Sequence, residues 1–275
     1  TEANIAKTSQ TLSATDVSTR GRSRRRTFED RVRVPVMKQF ALRSQDGIRP
    51  HQEVMVSHKY KFIYVNIRKS ASSTLRIYLR KQFQVGWDWC IKEIREMKAK
   101  GKEVQMEEPN NKRCTTRYLS EDMVKSYFIF TFVRDPIDRV LSGYAEWTAQ
   151  RKITGNISHF QQAMEQSLSS GLIPNEHLES QIKSLNTEWR DGVRLPLDYI
   201  GRVERFYQDW KSILRLIQFH SGLRLPLNRA PERQYNLRKE KPIRKVDLDR
   251  RVLQLIAYGV YAQDYTCFGY QKPLL

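Results

Sequence analysis

Residues 61–76, KFIYVNIRKSASSTLR, and 128–144, FIFTFVRDPIDRVLSGY, share one plan. In each, an apolar run of β type delivers a basic residue to a loop, hydroxyl residues follow, and an amphipathic helix begins. Chains build anion pockets this way, because the N–H groups of the turn and the positive end of the helix dipole converge on one point. In the first segment the turn is Arg68, Lys69, Ser70, Ala71, Ser72, Ser73 and Thr74, and Lys69, Ser73 and Thr74 add charge and hydroxyl donors. It is not the ATP-type loop, whose G-x-x-x-x-G-K-[ST] pattern needs glycines absent here. In the second segment Arg134 stands at the strand end, Asp135 is placed to cap, and Pro136 takes the first helical position that proline favours. Ser142 shares a helix face with Arg139 and Glu146, so Arg134 and Ser142 can converge on a second phosphate. Two pockets predict a ligand with two separate anionic groups. The plainer alternatives are a solvated Ser-rich loop with a helix cap and a structural salt bridge from Arg134 to Asp135 or Asp138.

Such loops need strands to deliver them and helices to follow. Aromatic and β-branched runs predict strands at 60–66, 127–133 and 198–203. Apolar residues at three- and four-residue spacing predict helices at 73–84, after Ser120, and at 136–150, 159–169, 176–185, 204–220 and 248–258, with Gly222 ending the sixth. Residues 92–112 read as a polar insertion. Strands alternating with helices predict one α/β domain of three layers, a central parallel sheet flanked by helices, with ligands at the carboxyl ends of the strands.

The pair RKSASST and FVRDPIDRVLSGY resembles the 5′-phosphosulfate loop and the 3′-phosphate segment of sulfotransferases that use 3′-phosphoadenosine 5′-phosphosulfate (PAPS). More narrowly it is similar to the Golgi carbohydrate sulfotransferases of the HNK-1 and chondroitin type. Residues 177–181 resemble their HWxxQ element, 197–204 their YDFIGRxE strand and 264–270 their DFxxFGY ending. The chain departs from them at Arg68 and Leu178, where family members usually carry Pro and Trp. The resemblance implies a P-loop-like sulfotransferase fold over 58–275, PAPS as cosubstrate, 3′,5′-adenosine bisphosphate as product and no metal. It implies that Arg68, Lys69, Ser70, Ala71, Ser72, Ser73 and Thr74 hold the 5′ end, that Lys69 neutralises the leaving group, and that Arg134 and Ser142 hold the 3′-phosphate. A catalytic base is also required. His177, expected on a helix face shared with Gln181, is the first candidate because an imidazole accepts a proton near neutral pH; Glu146, Glu179 and Glu204 are rivals.

Charge narrows the partners. The chain carries 49 basic and 30 acidic residues, a net +19, and residues 1–57 account for only +5 of it. Residues 223–245 hold 8 basic and 2 acidic side chains and three prolines, which suits a loop better than a helix. A field of this sign favours polyanions. With the resemblance, the expected partner is a hydroxylated acceptor, an anionic glycan first; a protein tyrosine, a lipid or a small metabolite would leave the cosubstrate motifs unchanged. No zinc-finger or RNA-recognition signature supports a specific nucleic-acid partner. A phosphate-loop kinase or a polyanion-binding protein is the alternative class.

Residues 1–57 read as a flexible, basic Ser/Thr/Arg-rich stem, partly ordered at its end. No run reaches 18 apolar residues, so any membrane anchor lies outside this chain, and the resemblance implies the Golgi lumen. A processed soluble protein would look the same. Cys90 and Cys114 flank the polar insertion and either form a disulfide or stay buried thiols; with Cys267 they offer no metal-site spacing. Asn156-Ile157-Ser158 is a glycosylation sequon in which Ser158 also suits a helix N-cap.

Overall fold

Side-chain alternation along two central strands gives the sheet two chemically different faces. The computed structural model describes residues 49–104, 108–109, 113–170, 175–190, 193–225 and 243–274. Four strands, β1 (Val54–Ser57), β2 (Phe62–Val65), β3 (Phe128–Val133) and β4 (Tyr199–Arg202), lie side by side in that order. β2, β3 and β4 are parallel, and β1 pairs antiparallel with β2 at the edge. The parallel core is as expected; the edge strand comes from the end of the leading region, where β1 joins β2 through a short turn that permits only antiparallel pairing.

Phe62, Tyr64, Phe128, Phe130 and Phe132 point to one face, where their rings meet Tyr78 and Phe83 of helix α1 (Ser72–Phe83) and, from a later helix, Phe206 and Trp210. Ile63, Val65, Ile129 and Val133 point to the other, against Trp89 and Ile91 of α2 (Trp89–Ala99) and Leu185, Leu195 and Leu197. Period two therefore yields an aromatic and an aliphatic layer, each closed by helices. Between α2 and β3 runs α3 (Glu121–Ser126), capped by Ser120, whose Oγ accepts from Met123 N.

A second core gathers Ile137, Val140, Leu141 and Tyr144 of α4 (Pro136–Arg151) with Phe160 and Met164 of α5 (Ile157–Ser170). It also takes in Leu178 and Val252, Ile256, Tyr261 and Tyr265 near the C-terminus. Helix α6 (Gln181–Leu185), α7 (Phe206–Ser221), α8 (Arg250–Gln254), a π-helical turn (Leu255–Val260) and α9 (Ala262–Phe268) follow along the chain. Gly222 ends α7 at φ 67°, as expected of a left-handed cap. Arg49–Pro50, Thr187–Arg190 and Val193–Arg194 form a small separate sheet.

Several expectations need correction. The insertion at 92–112 overlaps a helix, α2, whose buried Trp89, Ile91 and Ile94 are masked by the charged residues between them. The helix expected at 176–185 starts only at Gln181; Asn175 Oδ1 accepts from His177 N and Ser180 Oγ from Lys183 N, so two capping residues hold 176–179 as a turn. His177 and Gln181 therefore share no helix face. The helix expected at 248–258 begins at Arg250 and changes to π-helical winding at Leu255, with Gly259, just past the expected end, leaving helical dihedrals. Asn156, not Ser158, caps α5, since its Oδ1 accepts from His159 N at 2.8 Å. Cys90 and Cys114 are joined as a disulfide, and Cys267 is a buried free thiol. Most of the stem and residues 226–242 of the basic segment lie outside the described residues.

Candidate active site

Both basic loops leave the carboxyl ends of parallel strands, β2 and β3. In the first, Lys69 and Ala71 adopt left-handed dihedrals, φ 67° and 59°, and Ser70 N donates to Ile67 O. Consecutive turns of this kind leave main-chain N–H groups pointing inward. Ala71, at the N-cap of α1, offers no side-chain acceptor, and the first turn of α1 contains no acid. The helix start therefore keeps its donors for a ligand. Ser72 and Ser73 are half-exposed there, and Thr74 is buried.

In the second loop Asp135 Oδ1 accepts from Asp138 N, with Pro136 at the start of α4. Glu204 holds the loop from β4's side: Oε1 accepts from Asp135 N at 2.6 Å and Oε2 from Tyr270 Oη at 2.9 Å. The Arg134 guanidinium is half-buried and has no hydrogen-bond or ion-pair partner among the described residues. The salt bridge to Asp135 or Asp138 is not formed. Asp135 takes Lys245 at 3.6 Å instead, and Ser142 is half-exposed nearby in sequence on α4.

Beside these loops lies a small group of titratable side chains. Lys69 Nζ is 3.5 Å from Glu146 Oε2, and Glu146 Oε1 accepts from Gln150 Nε2 at 3.3 Å. Gln150 Nε2 is also 3.4 Å from His177 Nε2. Burial lowers the His177 pKa below its ordinary value, and the charges of Arg68 and Lys69 lower it further against the opposing pull of Glu176 and Glu146. The imidazole is therefore neutral at pH 7. Its turn is held by Leu178, which is fully buried and whose carbonyl accepts from Tyr261 Oη. Gly143 of α4 lets that turn approach: a Cβ there would stand 2.3 Å from His177 O.

The other sequence candidates are placed differently. Arg68 is engaged by Glu176 at 2.8 Å and Glu53 at 3.7 Å, so its charge is already compensated. Ser70 is buried and its Oγ donates to Gln181 Oε1 at 3.0 Å. Glu179 is buried close to Arg139, and the two Glu204 carboxylate oxygens accept from Asp135 N and Tyr270 Oη. Glu146 is the carboxylate that reaches the Lys69 and His177 group. Sequence reasoning gave no role to Arg139, Gln181 or Asp264, although all three stand in motifs that it singled out. Arg139 is fully buried and its Nε donates to Arg68 O at 3.0 Å. Asp264 accepts from Gln181 N and Ile182 N at 2.9 and 2.8 Å. No group of His, Cys, Asp and Glu suited to a metal ion occurs among the described residues.

Two basic loops thus leave adjacent parallel strands, β2 and β3, with Lys69, Glu146 and His177 beside them. Residues 52–271 match the sulfotransferase family, and the chain belongs to that family. It is similar to mouse Carbohydrate sulfotransferase 12, with 25% identity over 187 residues, 58% of this chain and 43% of the relative. The chain thus spans less than half the length of that curated relative. No solved structure matches it.

Proposed function

We propose that this protein transfers the sulfuryl group of PAPS to a hydroxyl of a carbohydrate acceptor. The observation that carries the reading is the pair of donor sets at adjacent strand ends: the start of α1, without a side-chain cap, with Ser72 and Ser73, and the Arg134 guanidinium, without a partner among the described residues, with Ser142. These groups fit a nucleotide bearing anionic groups at both its 5′ and 3′ positions. When bound, PAPS supplies an activated sulfuryl group and 3′,5′-adenosine bisphosphate as the leaving group.

Lys69 is the cation for the bridging oxygen, where negative charge grows as the bond to sulfur breaks. Glu146 holds its ammonium group in the cleft beforehand, at 3.5 Å. His177 accepts the acceptor's hydroxyl proton as that oxygen bonds to sulfur, and burial, aided by the nearby cations, keeps the imidazole unprotonated until then. Positioning and electrostatics supply the catalysis, as in phosphoryl transfer.

The name of the mouse relative and the net charge of +19 favour an anionic glycan as acceptor. The Cys90–Cys114 disulfide favours an oxidising compartment and fits the Golgi lumen. No helix among the described residues is long and apolar enough to cross a membrane.

Thermal shift followed by acceptor profiling with labelled PAPS tests the reading. Adenosine bisphosphate without magnesium should raise the melting temperature, and label should pass to a glycan. Stabilisation only by ATP with magnesium would replace the reading with a kinase, and stabilisation only by an oligonucleotide with a nucleic-acid binder.

A further inference from the structure

Two quoted motifs, 177–181 and 264–270, enter the chemistry above only through His177. Gln181 of the first and Asp264 of the second meet at the seam between the two loops. Gln181 is fully buried. Its Oε1 accepts from Ser70 Oγ of the first loop at 3.0 Å and from Arg134 N of the second at 2.8 Å, and its Nε2 donates to Arg134 O at 2.8 Å. One carboxamide therefore grips Arg134 at both its N–H and its C=O while holding Ser70. The main chain that carries this side chain is itself anchored, because Asp264 accepts from Gln181 N and Ile182 N. Arg139 adds a second tie, from α4 to Arg68 O. Moving either loop against the other would leave buried polar groups unpaired, which is costly.

We infer that Gln181, oriented by Asp264, is a positioning residue that sets the spacing of the two anion loops. It thereby determines selectivity for a nucleotide carrying anionic groups at both its 5′ and 3′ positions. This rests on the PAPS reading above. A ligand gripped at both ends gains most when the second pocket already stands where the second phosphate arrives. A ligand gripped at one end is indifferent to that spacing.

The test compares the full chain with Gln181→Met, which keeps length and approximate volume but loses all three side-chain hydrogen bonds. Affinities are measured by calorimetry for 3′,5′-adenosine bisphosphate, adenosine 5′-phosphate and adenosine 3′-phosphate, with melting temperature recorded alongside. The bisphosphate should weaken by at least about tenfold while each monophosphate stays within about threefold of wild type. An equal loss for all three ligands, or no loss for any, overturns the inference and leaves the PAPS reading standing, provided wild type prefers the bisphosphate. A wild type without that preference overturns both. If Gln181→Met does not fold, Ser70→Ala removes one of the three bonds and is judged by the same pattern: a loss confined to the bisphosphate supports the inference, and a uniform or absent loss overturns it.

Discussion

Gly143→Ala tests the placement of His177 without altering its imidazole. A Cβ at position 143 would stand 2.3 Å from His177 O, 3.0 Å from His177 C and 3.2 Å from Leu178 Cδ2. Ordinary contact begins about 1 Å further out, and the main obstacle is main chain, which no rotamer change relieves. In an open helix the same substitution would stabilise by about 1 kcal/mol. Here overpacking of about 1–3 kcal/mol opposes it, so the variant should melt lower by a few degrees. The turn 175–178 yields before α4, which is packed against the second core. His177 then retreats by about 1 Å, and misplacement on that scale costs about 10²-fold in kcat. Bisphosphate affinity should stay within about threefold, because Arg134 and Ser142 belong to the part that does not yield. Steady-state sulfuryl transfer in Gly143→Ala, His177→Ala and the double variant provides the check. If the imidazole transmits the loss, Gly143→Ala adds little in the His177→Ala background. Wild-type kcat and melting temperature in the single variant, or an undiminished further loss in the double variant, would refute the reasoning.

Lys69→Ala should lower kcat by far more than it weakens the product nucleotide, since its contact strengthens only as charge develops on the leaving oxygen; parallel kinetics and calorimetry decide this. His177→Ala should bind bisphosphate normally and lose about 10²–10⁴ in rate, and the acidic limb of the wild-type profile should lie below about pH 6.5, because the folded pKa is depressed. The same depression means that the unfolded chain binds this proton first, so stability falls as pH drops through about 6.5 and levels off below the folded pKa; denaturant titrations of wild type and His177→Ala should converge at high pH and diverge in that window. Replacing Cys90 and Cys114 by Ser should cost about 3 kcal/mol, since the bridge closes a separation of 24 residues, measured by urea unfolding against the oxidised protein.

What the sequence by itself determined is local. Continuous apolar runs at residues 62–65 and 128–133 specified buried strands, Asp135 and Pro136 specified the start of α4, and Gly222 specified the end of α7, because strand composition, caps and dihedral limits act within a few residues. The two anion loops were legible for the same reason. Their partners were not. His177 left the expected helix because Asn175 and Ser180 both cap, and its final position depends on Gly143 and Tyr261, 34 and 84 residues away in sequence. The Cys90–Cys114 pairing, the edge strand β1, and the capture of Glu204 by Asp135 and Tyr270 likewise needed the folded chain. Gln181 and Asp264, 83 residues apart, carry no local signal of their bond. Burial alone makes that pairing obligatory, since a carboxylate withdrawn from water must find its hydrogen bonds wherever the packing has brought main-chain donors to it.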